Sequence, residues 1–340
     1  MSLGRSVGVT DTGRRRRHNE DSYVCEPPLF AIADGMGGAQ AGEVASRLAA
    51  AVLNETVLEV ANGELDENRL ADLIQEANRR VFQRSNEDAA ASGMGTTMTV
   101  AIVDGAAGTV AIGHVGDSRA YRVRDGELEQ LTEDHSLVNE LLKSGRLSPE
   151  EALSHPQRSV ITRAIGTEPD VDVDTFTVDA RTGDLFLLCS DGLTDMITDD
   201  EILALVEKGG DLDRAARQLV QAANRSGGGD NITVVVFEIA EGSDGVETQQ
   251  LPAPVETELS ADDEDTLSGL ERVPAIDTAV LSAAEIREHS EPEPEPQPAV
   301  EPAAERTVER AEPGRRLLPL LLLVLALVAI AVIVVWGLYR

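Results

Sequence analysis

The apolar positions of residues 1–240 follow two periods, and each period predicts one kind of element. Helical spacing over residues 41–58, 69–82 and 212–224 predicts three amphipathic helices. Alternation of apolar and polar residues, typical of antiparallel strands, appears over 96–103, 109–115, 119–124 and 127–132. Shorter runs predict strands at 7–9, 22–25, 29–33, 171–178, 184–188 and 232–239, and a short helix at 136–143. We therefore expect an α+β protein in which two packed antiparallel β-sheets, a β-sandwich, are flanked by pairs of α-helices.

Short local signals predict turns and helix starts within this domain. Asp125-Gly126 lies between two predicted strands and indicates a hairpin turn. Ser148 with Glu151, and Thr198 with Glu201, have the spacing of a capping box. A helix is therefore expected to begin after each of these residues.

Residues 241–314 differ in composition from the part before them. They hold nine of the fifteen prolines, many acidic residues and no aromatic residue. Such a segment cannot bury enough apolar surface to offset the entropy of ordering, so we expect an acidic, disordered linker after a domain that spans 1–240. A docking segment for a partner protein is the alternative.

Residues 317–336 form a run of twenty without a charged side chain. A helix of this length is about 30 Å long, which is enough to cross the hydrocarbon core of a membrane. We therefore expect one C-terminal transmembrane anchor within 315–340. Arg315 and Arg316 precede the run, and the positive-inside rule then predicts that the linker and the first domain are cytoplasmic. No signal peptide is expected, because residues 1–20 lack an apolar stretch.

The overall charge and the cysteines narrow the classes of partner and compartment. A formal net charge of -32 argues against binding to nucleic acid, because phosphates attract basic surfaces. Cys25 and Cys189 are too few for a disulfide framework, and they fit a reducing compartment.

Acidic residues recur where the predicted strands begin or end. The sequence places these pairs there: Glu20-Asp21, Asp34-Gly35, Gly116-Asp117, Asp191-Gly192 and Gly229-Asp230. Carboxylates beside buried strands lose hydration unless they are paired or bound to a cation. Oxygen ligands without a histidine or cysteine cluster indicate Mg²⁺ or Mn²⁺ and argue against zinc, with structural calcium as the alternative. The glycines after Asp34 fit either an ordinary tight turn or a close approach of the backbone.

An arginine beside two such ions would be typical of a phosphoryl-transfer site. The ions activate a water molecule and neutralise the phosphate, and the planar guanidinium suits a phosphate dianion. Four contiguous arginines, Arg14 to Arg17, precede the first acidic pair. For most of the four, a solvated basic loop or a contact with anionic lipid is the alternative interpretation.

Six motifs, in this order, resemble those of the metal-dependent protein phosphatases of type 2C, and most closely those of the bacterial branch. They are Asp11-Thr12-Gly13 through Arg16 to Asn19-Glu20-Asp21, Asp34-Gly35-Met36-Gly37-Gly38, Gly95-Thr96-Thr97, Gly116-Asp117-Ser118-Arg119, Ser190-Asp191-Gly192-Leu193 and Gly229-Asp230-Asn231. The resemblance covers about residues 5–240. It implies a β-sandwich flanked by helices, removal of phosphate from phosphoserine and phosphothreonine in proteins, and dependence on Mg²⁺ or Mn²⁺.

The resemblance also implies a set of metal ligands. They are Glu20, Asp21, Asp34, the carbonyl of Gly35, Asp117, Asp191 and Asp230. Asp34 would bridge two ions, and Glu20 and Asp21 would act directly or through waters. Asp117 with Asp191 resembles a third, weaker metal site. A hydroxide between the first two ions would attack the phosphorus.

Three further roles follow from the resemblance, and one position departs from it. Arg16 takes the place of the arginine that grips the phosphate, Asn231 would lie beside the site, and residues 136–163 would form a flap that touches substrate. Many animal members carry, where this chain has Met36, a histidine that is proposed to protonate the leaving alkoxide. Bacterial members commonly have methionine there.

The departure leaves the general acid open. Methionine cannot donate a proton, so His135, His155 or a metal-bound water are the candidates, although a lone histidine is more often structural.

Three hypotheses for the function remain. The first is a membrane-tethered serine/threonine protein phosphatase that acts on phosphorylated proteins and opposes a membrane-bound bacterial kinase, since tethering raises the effective concentration of partners on the same membrane. The second is a catalytically silent adaptor whose acidic tail is the working part, although the complete set of carboxylates argues against it. The third is a phosphatase for a regulatory switch protein or a small phosphoester.

Overall fold

A computed structural model of the chain describes residues 1–37, 41–62, 67–88, 91–153, 155–241 and 279–280. The chain divides into two compact units, Met1–Ser290 and Glu291–Arg340, and all described residues belong to the first. Apart from residues 241 and 279–280, the predicted linker lies outside the described residues, as does the predicted membrane helix at 317–336. Among the helices of the described ranges, none has the length and apolar character that a membrane crossing requires.

The described elements are thirteen strands and seven helices. The strands are β1 (Ser2–Asp11), β2 (Asp21–Glu26), β3 (Leu29–Met36), β4 (Gly95–Thr96), β5 (Met98–Asp104), β6 (Thr109–Val115), β7 (Arg119–Arg124), β8 (Glu127–Gln130), β9 (Val160–Ile161), β10 (Asp174–Asp179), β11 (Leu185–Cys189), β12 (Ile232–Ala240) and β13 (Ala279–Val280). The helices are α1 (Ala41–Asn62), α2 (Glu67–Glu87), α3 (Leu137–Lys143), α4 (Pro149–Leu153), α5 (Asp191–Thr194), α6 (Asp199–Gly209) and α7 (Leu212–Arg225).

Two antiparallel sheets form a β-sandwich. The first has the order β1-β12-β11-β7-β8, and the second has the order β10-β6-β5-β3-β2, with β4 paired to β3. A separate parallel pair joins β13 to β9, so the predicted linker contributes one short strand. The predicted α+β sandwich is confirmed.

Stacked aromatic rings join the two sheets. Phe237 of β12 stacks on Phe30 of β3 with 4.1 Å between ring centroids, and on Phe186 of β11 with 5.1 Å. All three side chains are buried. Because β3 belongs to the second sheet and β11 and β12 to the first, these rings form the centre of the core between the sheets.

Helices cover the two outer faces of the sandwich. α1 and α2 pack on the second sheet, and α6 and α7 pack with the first. The buried apolar residues of α7 lie on one face of the helix: Leu212, Ala215, Ala216, Leu219, Val220 and Ala223. This one-sided stripe is the reason why the helical period was visible in the sequence.

The local signals are confirmed by geometry. Asp125 and Gly126 have φ angles of 52° and 79°, as a two-residue hairpin turn between β7 and β8 requires. The side chain of Thr198 and that of Glu201 each bond the other's backbone at the start of α6. Ser148 and Glu151 do the same at the start of α4.

Strand boundaries differ from the predictions where the pattern was weak. β1 runs from Ser2 to Asp11 and not only over 7–9, because it pairs with β12 along its length although Val7 is its single buried residue. The predicted strand at 96–103 is interrupted at Thr97, whose hydroxyl accepts a hydrogen bond from the Asp34 N–H at 3.0 Å. The strand predicted at 171–178 begins at Asp174.

Candidate active site

The acidic motifs of the first sheet meet because their strands are antiparallel. Cys189, the last residue of β11, lies opposite Val234 of β12 and Arg119 of β7. The chain beyond the end of β11 therefore lies at the same edge as the segments that precede β12 and β7. Asp191, Asp230 and Asp117 belong to these three segments.

The second sheet brings two further carboxylates to this edge. Asp21, the first residue of β2, lies directly opposite Asp34 near the end of β3. Two acidic side chains in that position repel each other and destabilise the pair of strands. A bound cation would remove this repulsion.

Hydrogen bonds between the two sheets hold the edges together. Ser190 donates its hydroxyl hydrogen to Asp21 Oδ2 at 2.9 Å, and Thr233 donates to the same oxygen at 2.5 Å. The hydroxyls of Thr97 and Ser118 are 2.8 Å apart. The sequence motifs contained Ser190, Thr97 and Ser118 without a role for them, and Thr233 was missed, although it lies three residues after Asp230.

The carboxylates at this edge are held in an environment that disfavours their charged form. Partial burial, followed by repulsion from Asp21 and Asp191, raises the pKa of Asp34 well above its usual value. Burial and then Asp117 and Asp230 raise the pKa of Asp191 in the same way. The charges of these acids act on one another, so they form one electrostatic cluster, called the carboxylate cluster below. Its members are Asp21, Asp34, Asp117, Asp191 and Asp230.

Asp21 and Asp117 of the cluster, and the neighbouring Glu20, show the same effect with smaller shifts. Burial raises the pKa of Asp21 to about 6 and that of Asp117 to about 7. Burial raises the pKa of Glu20 to about 7, although Arg16 opposes the shift. Raised pKa values of this kind are typical of sites that bind cations or perform proton chemistry.

The structure offers donor atoms that fit divalent ions. Asp21 Oδ1 and Asp191 Oδ1 are shielded from solvent, and neither has a hydrogen-bond partner among the described residues. Within the described ranges, no three His, Cys, Asp or Glu side chains form a group that could hold a metal ion by themselves. Mg²⁺ commonly takes only one or two carboxylates and keeps several waters, so the cluster fits ions whose coordination is completed by water.

Two glycines allow the backbone segments to approach each other. A Cβ at Gly35 would lie 2.2 Å from the Gly42 carbonyl oxygen and 2.5 Å from that of Glu20. A Cβ at Gly192 would lie 2.0 Å from the Asn231 carbonyl oxygen. A side chain at either position would therefore separate the segments that carry the acids, and the close-approach interpretation of Gly35 is supported.

Arg16 differs from the other three arginines of its run in its burial and in its contacts. Arg14, Arg15 and Arg17 are exposed, whereas Arg16 is partly buried and its Nη2 lies 2.7 Å from Asp230 Oδ2. Glu20 and Asp34 also interact with the Arg16 charge. The basic run thus places one guanidinium at the carboxylate cluster.

Asn231 holds the loop that carries Arg16. Its Oδ1 accepts from the Glu20 N–H at 2.8 Å, and its Nδ2 donates to the carbonyls of Thr12 at 2.9 Å and His18 at 3.0 Å. The Asn231 amide therefore closes the loop from residue 12 to residue 20, while a direct contact with substrate stays a prediction.

The candidates for the general acid have different surroundings. Met36 packs with Ile161 of the predicted flap and with Ala164, which directly follows the flap. Both ring nitrogens of His135 lie within 3.0 Å of protein groups, as expected of a structural histidine. His155 is partly buried, and its Nδ1 accepts from the Gln157 N–H at 3.2 Å. The acid stays open between His155 and water.

Comparison with known proteins assigns the family. The protein phosphatase 2C family matches residues 14–229. The serine/threonine phosphatase stp of Listeria monocytogenes serotype 4b (strain F2365) is 44% identical over 237 residues, which cover 67% of this chain and 93% of the relative. The matched range includes Arg16 and every acid of the cluster except Asp230, which directly follows it. The chain belongs to the protein phosphatase 2C family.

Solved structures agree with this assignment. The crystal structure of the Mycobacterium tuberculosis serine/threonine phosphatase PstP/Ppp is 40% identical, has a TM-score of 0.67, and matches 71% of this chain and 100% of that chain. The catalytic domain of the serine/threonine protein phosphatase PstP in complex with two manganese ions is 36% identical, has a TM-score of 0.63, and matches 70% and 99% of the two chains. A fold of this kind therefore accommodates two divalent ions.

The raised pKa values predict how the stability of the metal-free protein depends on pH. An acid whose pKa is higher in the folded than in the unfolded chain contributes stability that is complete below the unfolded pKa and is lost as the pH rises through the folded pKa. The folded values are about 6 for Asp21 and about 7 for Glu20 and Asp117. The unfolded values of these acids are about 4, so we expect the melting temperature in EDTA to fall as the pH rises from about 5 to about 7.

Two controls separate this effect from other titrations. Saturating Mn²⁺ should raise the melting temperature and flatten its decline over the same range, because the ions neutralise the cluster. The Asp34→Asn variant in EDTA at pH 8 should melt higher than the wild type. A melting temperature that rises with pH in EDTA, or an Asp34→Asn variant that melts lower, would contradict the electrostatic cluster.

Proposed function

We propose that this chain removes phosphate from phosphoserine and phosphothreonine in proteins, with two divalent ions held at the carboxylate edge of the β-sandwich. One observation carries the proposal: Asp21, Asp34, Asp117 and Asp191 repel one another in a partly buried cluster where Asp21 and Asp191 each retain an oxygen that no described protein group satisfies. Membership of the protein phosphatase 2C family and the names of the relatives support the same chemistry.

The chain supplies the following groups toward the ions. Asp34, the Gly35 carbonyl, Asp191 and Asp230 would hold the two ions. Glu20 and Asp21 would act directly or through waters. Asp117 with Asp191 would form a third, weaker site. When bound, divalent ions lower the pKa of water and neutralise the charge of the phosphate.

Arg16 would hold the phosphate of the substrate. Its side chain is 20% exposed, so it is reachable from solvent, and the contact with Asp230 fixes its position beside the cluster. A guanidinium can donate two parallel hydrogen bonds to phosphate oxygens, which orients the phosphorus as well as attracting the charge.

The flap of residues 136–163 would contact the protein part of the substrate. Arg158 of the flap lies 3.4 Å from Asp195, which directly follows the end of α5 and is four residues after Asp191. Ile161 and Ala164 pack on Met36, two residues after Asp34. These contacts support a flap that borders the cluster.

Two further parts of the proposal concern the context in the cell. The predicted helix at 317–336 would anchor the chain in the cell membrane with the catalytic domain in the cytoplasm. Membrane serine/threonine kinases and their substrates would then be its partners, because tethering raises their effective concentration. The uncharged run and the preceding arginines support this proposal.

Replacement of a carboxylate by a neutral amide at Asp34 or at Asp191 tests the function directly. In Asp34→Asn and Asp191→Asn, Mn²⁺-dependent hydrolysis of an aryl phosphate and of a phosphothreonine peptide should fall at least about 100-fold, since an amide lacks the charge that two cations require and loss of a group behind a ligand already costs about 10–100-fold. Asp213→Asn, which changes a surface ion pair with Arg217, is the control. Wild-type turnover in both site variants would refute the metal assignment.

Lysine substitutions at the adjacent residues Arg16 and Arg17 test whether Arg16 contacts the phosphate of the substrate. Arg16→Lys keeps the charge and loses the planar fork, so the KM for a phosphothreonine peptide should rise about tenfold, equivalent to about 1.4 kcal/mol, with a smaller change in kcat. Arg17 is exposed beside it, and Arg17→Lys should leave KM unchanged. Equal KM values for the two variants would remove Arg16 from the phosphate site.

Membrane attachment is tested by extraction. The full chain should stay in the membrane pellet after alkaline carbonate washing and enter solution only with detergent, because a twenty-residue apolar helix is inserted almost irreversibly. A chain ended after residue 314 should be released by washing. Release of the full chain under the same conditions would contradict the anchor.

A further inference from the structure

His135 joins the segment that carries Asp117 to the flap through its backbone. Its N–H donates to the Gly116 carbonyl at 2.8 Å, and its carbonyl accepts from the Thr162 N–H at 2.8 Å. Gly116 directly precedes Asp117, and Thr162 belongs to the flap. The His135 backbone therefore lies between an acid of the site and the segment that borders it.

The imidazole of His135 repeats this connection. The Gly116 N–H donates to His135 Nδ1 at 3.0 Å, and His135 Nε2 lies 3.0 Å from Asp174 Oδ2. A peptide N–H can only donate, so Nδ1 is the acceptor, and the ring proton of the neutral imidazole is then on Nε2, where it donates to Asp174. Burial lowers the pKa of His135, which favours this neutral form.

A second histidine packs against the ring of His135. The ring centroids of His114 and His135 are 4.7 Å apart. Nδ1 of His114 lies 2.9 Å from the Thr99 hydroxyl, and its Nε2 lies 3.1 Å from the Glu133 carbonyl. His114 is thus fixed at both nitrogens, and it restricts the plane that the His135 ring can adopt.

The turn before Asp117 depends on these bonds. Gly116 has a φ of +113°, and a Cβ there would lie 2.6 Å from Thr97 Cβ, so the position admits no side chain that could hold the turn. Both of its backbone polar groups are instead bonded to His135. Loss of the Nδ1 acceptor would leave a buried N–H unpaired.

At its Nε2 atom, the imidazole is connected through Asp174 to the flap. Asp174, at the start of β10, accepts from His135 through Oδ2 and from Arg163 Nη1 through Oδ1 at 2.6 Å. Arg163 follows Thr162, which donates to the His135 carbonyl. One side chain thus links the turn that carries Asp117 to the end of the flap.

We propose that His135 is a positioning residue that holds the Gly116-Asp117 turn, and with it the Asp117 carboxylate, in register with the flap. The consequence for metal binding rests on the proposed role of Asp117 as a ligand. His135 acts through the Gly116 N–H and does not touch the substrate.

Two amide substitutions distinguish the hydrogen bond at Nδ1 of His135 from the one at Nε2. Asn at 135 places an oxygen near the position of Nδ1 and keeps the acceptor for Gly116, whereas Gln reaches toward Asp174 and loses that acceptor. Calorimetric titration with Mn²⁺ alone should show roughly tenfold weaker binding for His135→Gln and binding within about threefold of wild type for His135→Asn, as expected for a residue behind a ligand. The kcat for a phosphothreonine peptide should follow the same order.

Two further variants distinguish a general loss of stability, a failure of the ligand role of Asp117 and a failure of the positioning role of His135. Asp184→Asn removes a buried acceptor of Arg124 and of the Arg181 N–H beside the other end of β11, so it should lower the melting temperature and leave Mn²⁺ binding unchanged. Asp117→Asn should weaken Mn²⁺ binding. If Asp117→Asn has no effect, the ligand role of Asp117 fails; if it has an effect and the Gln and Asn variants of His135 are alike, the positioning role fails.

Nuclear magnetic resonance of the wild type tests the geometry without any variant and without Mn²⁺. Long-range proton–nitrogen correlations should show His135 as the Nε2–H tautomer, and the Gly116 amide should exchange slowly with solvent. In His135→Gln the Gly116 and Asp117 amide signals should shift, and in His135→Asn they should return toward wild-type positions. An Nδ1–H tautomer, or a rapidly exchanging Gly116 amide, would overturn the proposal even if the Gln variant does not fold.

Discussion

Mutual repulsion of carboxylates at one edge of the β-sandwich is the constraint on which the rest of the structure depends. Asp21 and Asp34 face each other across two strands, and Asp191 and Asp117 approach from the other sheet. In the absence of cations this arrangement costs free energy, because each partly buried charge raises the pKa of its neighbours. Such repulsion is typical of sites where a bound ligand offsets it. Divalent ions are the ligands that fit a cluster of oxygen donors.

Packing in the core and hydrogen bonds at the edge hold the acids in place against this repulsion. Phe30, Phe186 and Phe237 join the two sheets in the centre of the core, away from the acids. At the edge itself, hydroxyl groups from one sheet hydrogen-bond the acids and hydroxyls of the other, as Ser190 does with Asp21. The absence of a side chain at Gly35 and at Gly192 lets the backbone segments that carry the acids approach each other closely. The acids are therefore held in position before any ion binds, which reduces the ordering that binding must accomplish.

Much of the fold could be predicted from periodicity. The helices of the outer layers bury one face each, so their apolar stripes were visible, and the meander of β5 to β8 showed its alternation. β1 was predicted too short because only Val7 is buried and the strand is defined by its partner β12. The interruption at Thr97 was missed for a related reason: the hydroxyl that breaks the strand bonds to Asp34, a residue far away in the sequence.

The sequence by itself determined which residue types are available and where they lie relative to strands: acids beside glycines at strand ends, an arginine run, and the motif order that predicted the family. The motif order also singled out Arg16 among the four arginines, through the resemblance. Only the tertiary structure showed that its guanidinium contacts Asp230 at the cluster, and that Ser190 and Thr233 bond Asp21. The reason is physical. Local propensity and periodicity act over a few residues, whereas burial, repulsion between charges and hydrogen bonds across two sheets depend on residues that are adjacent only in the folded chain.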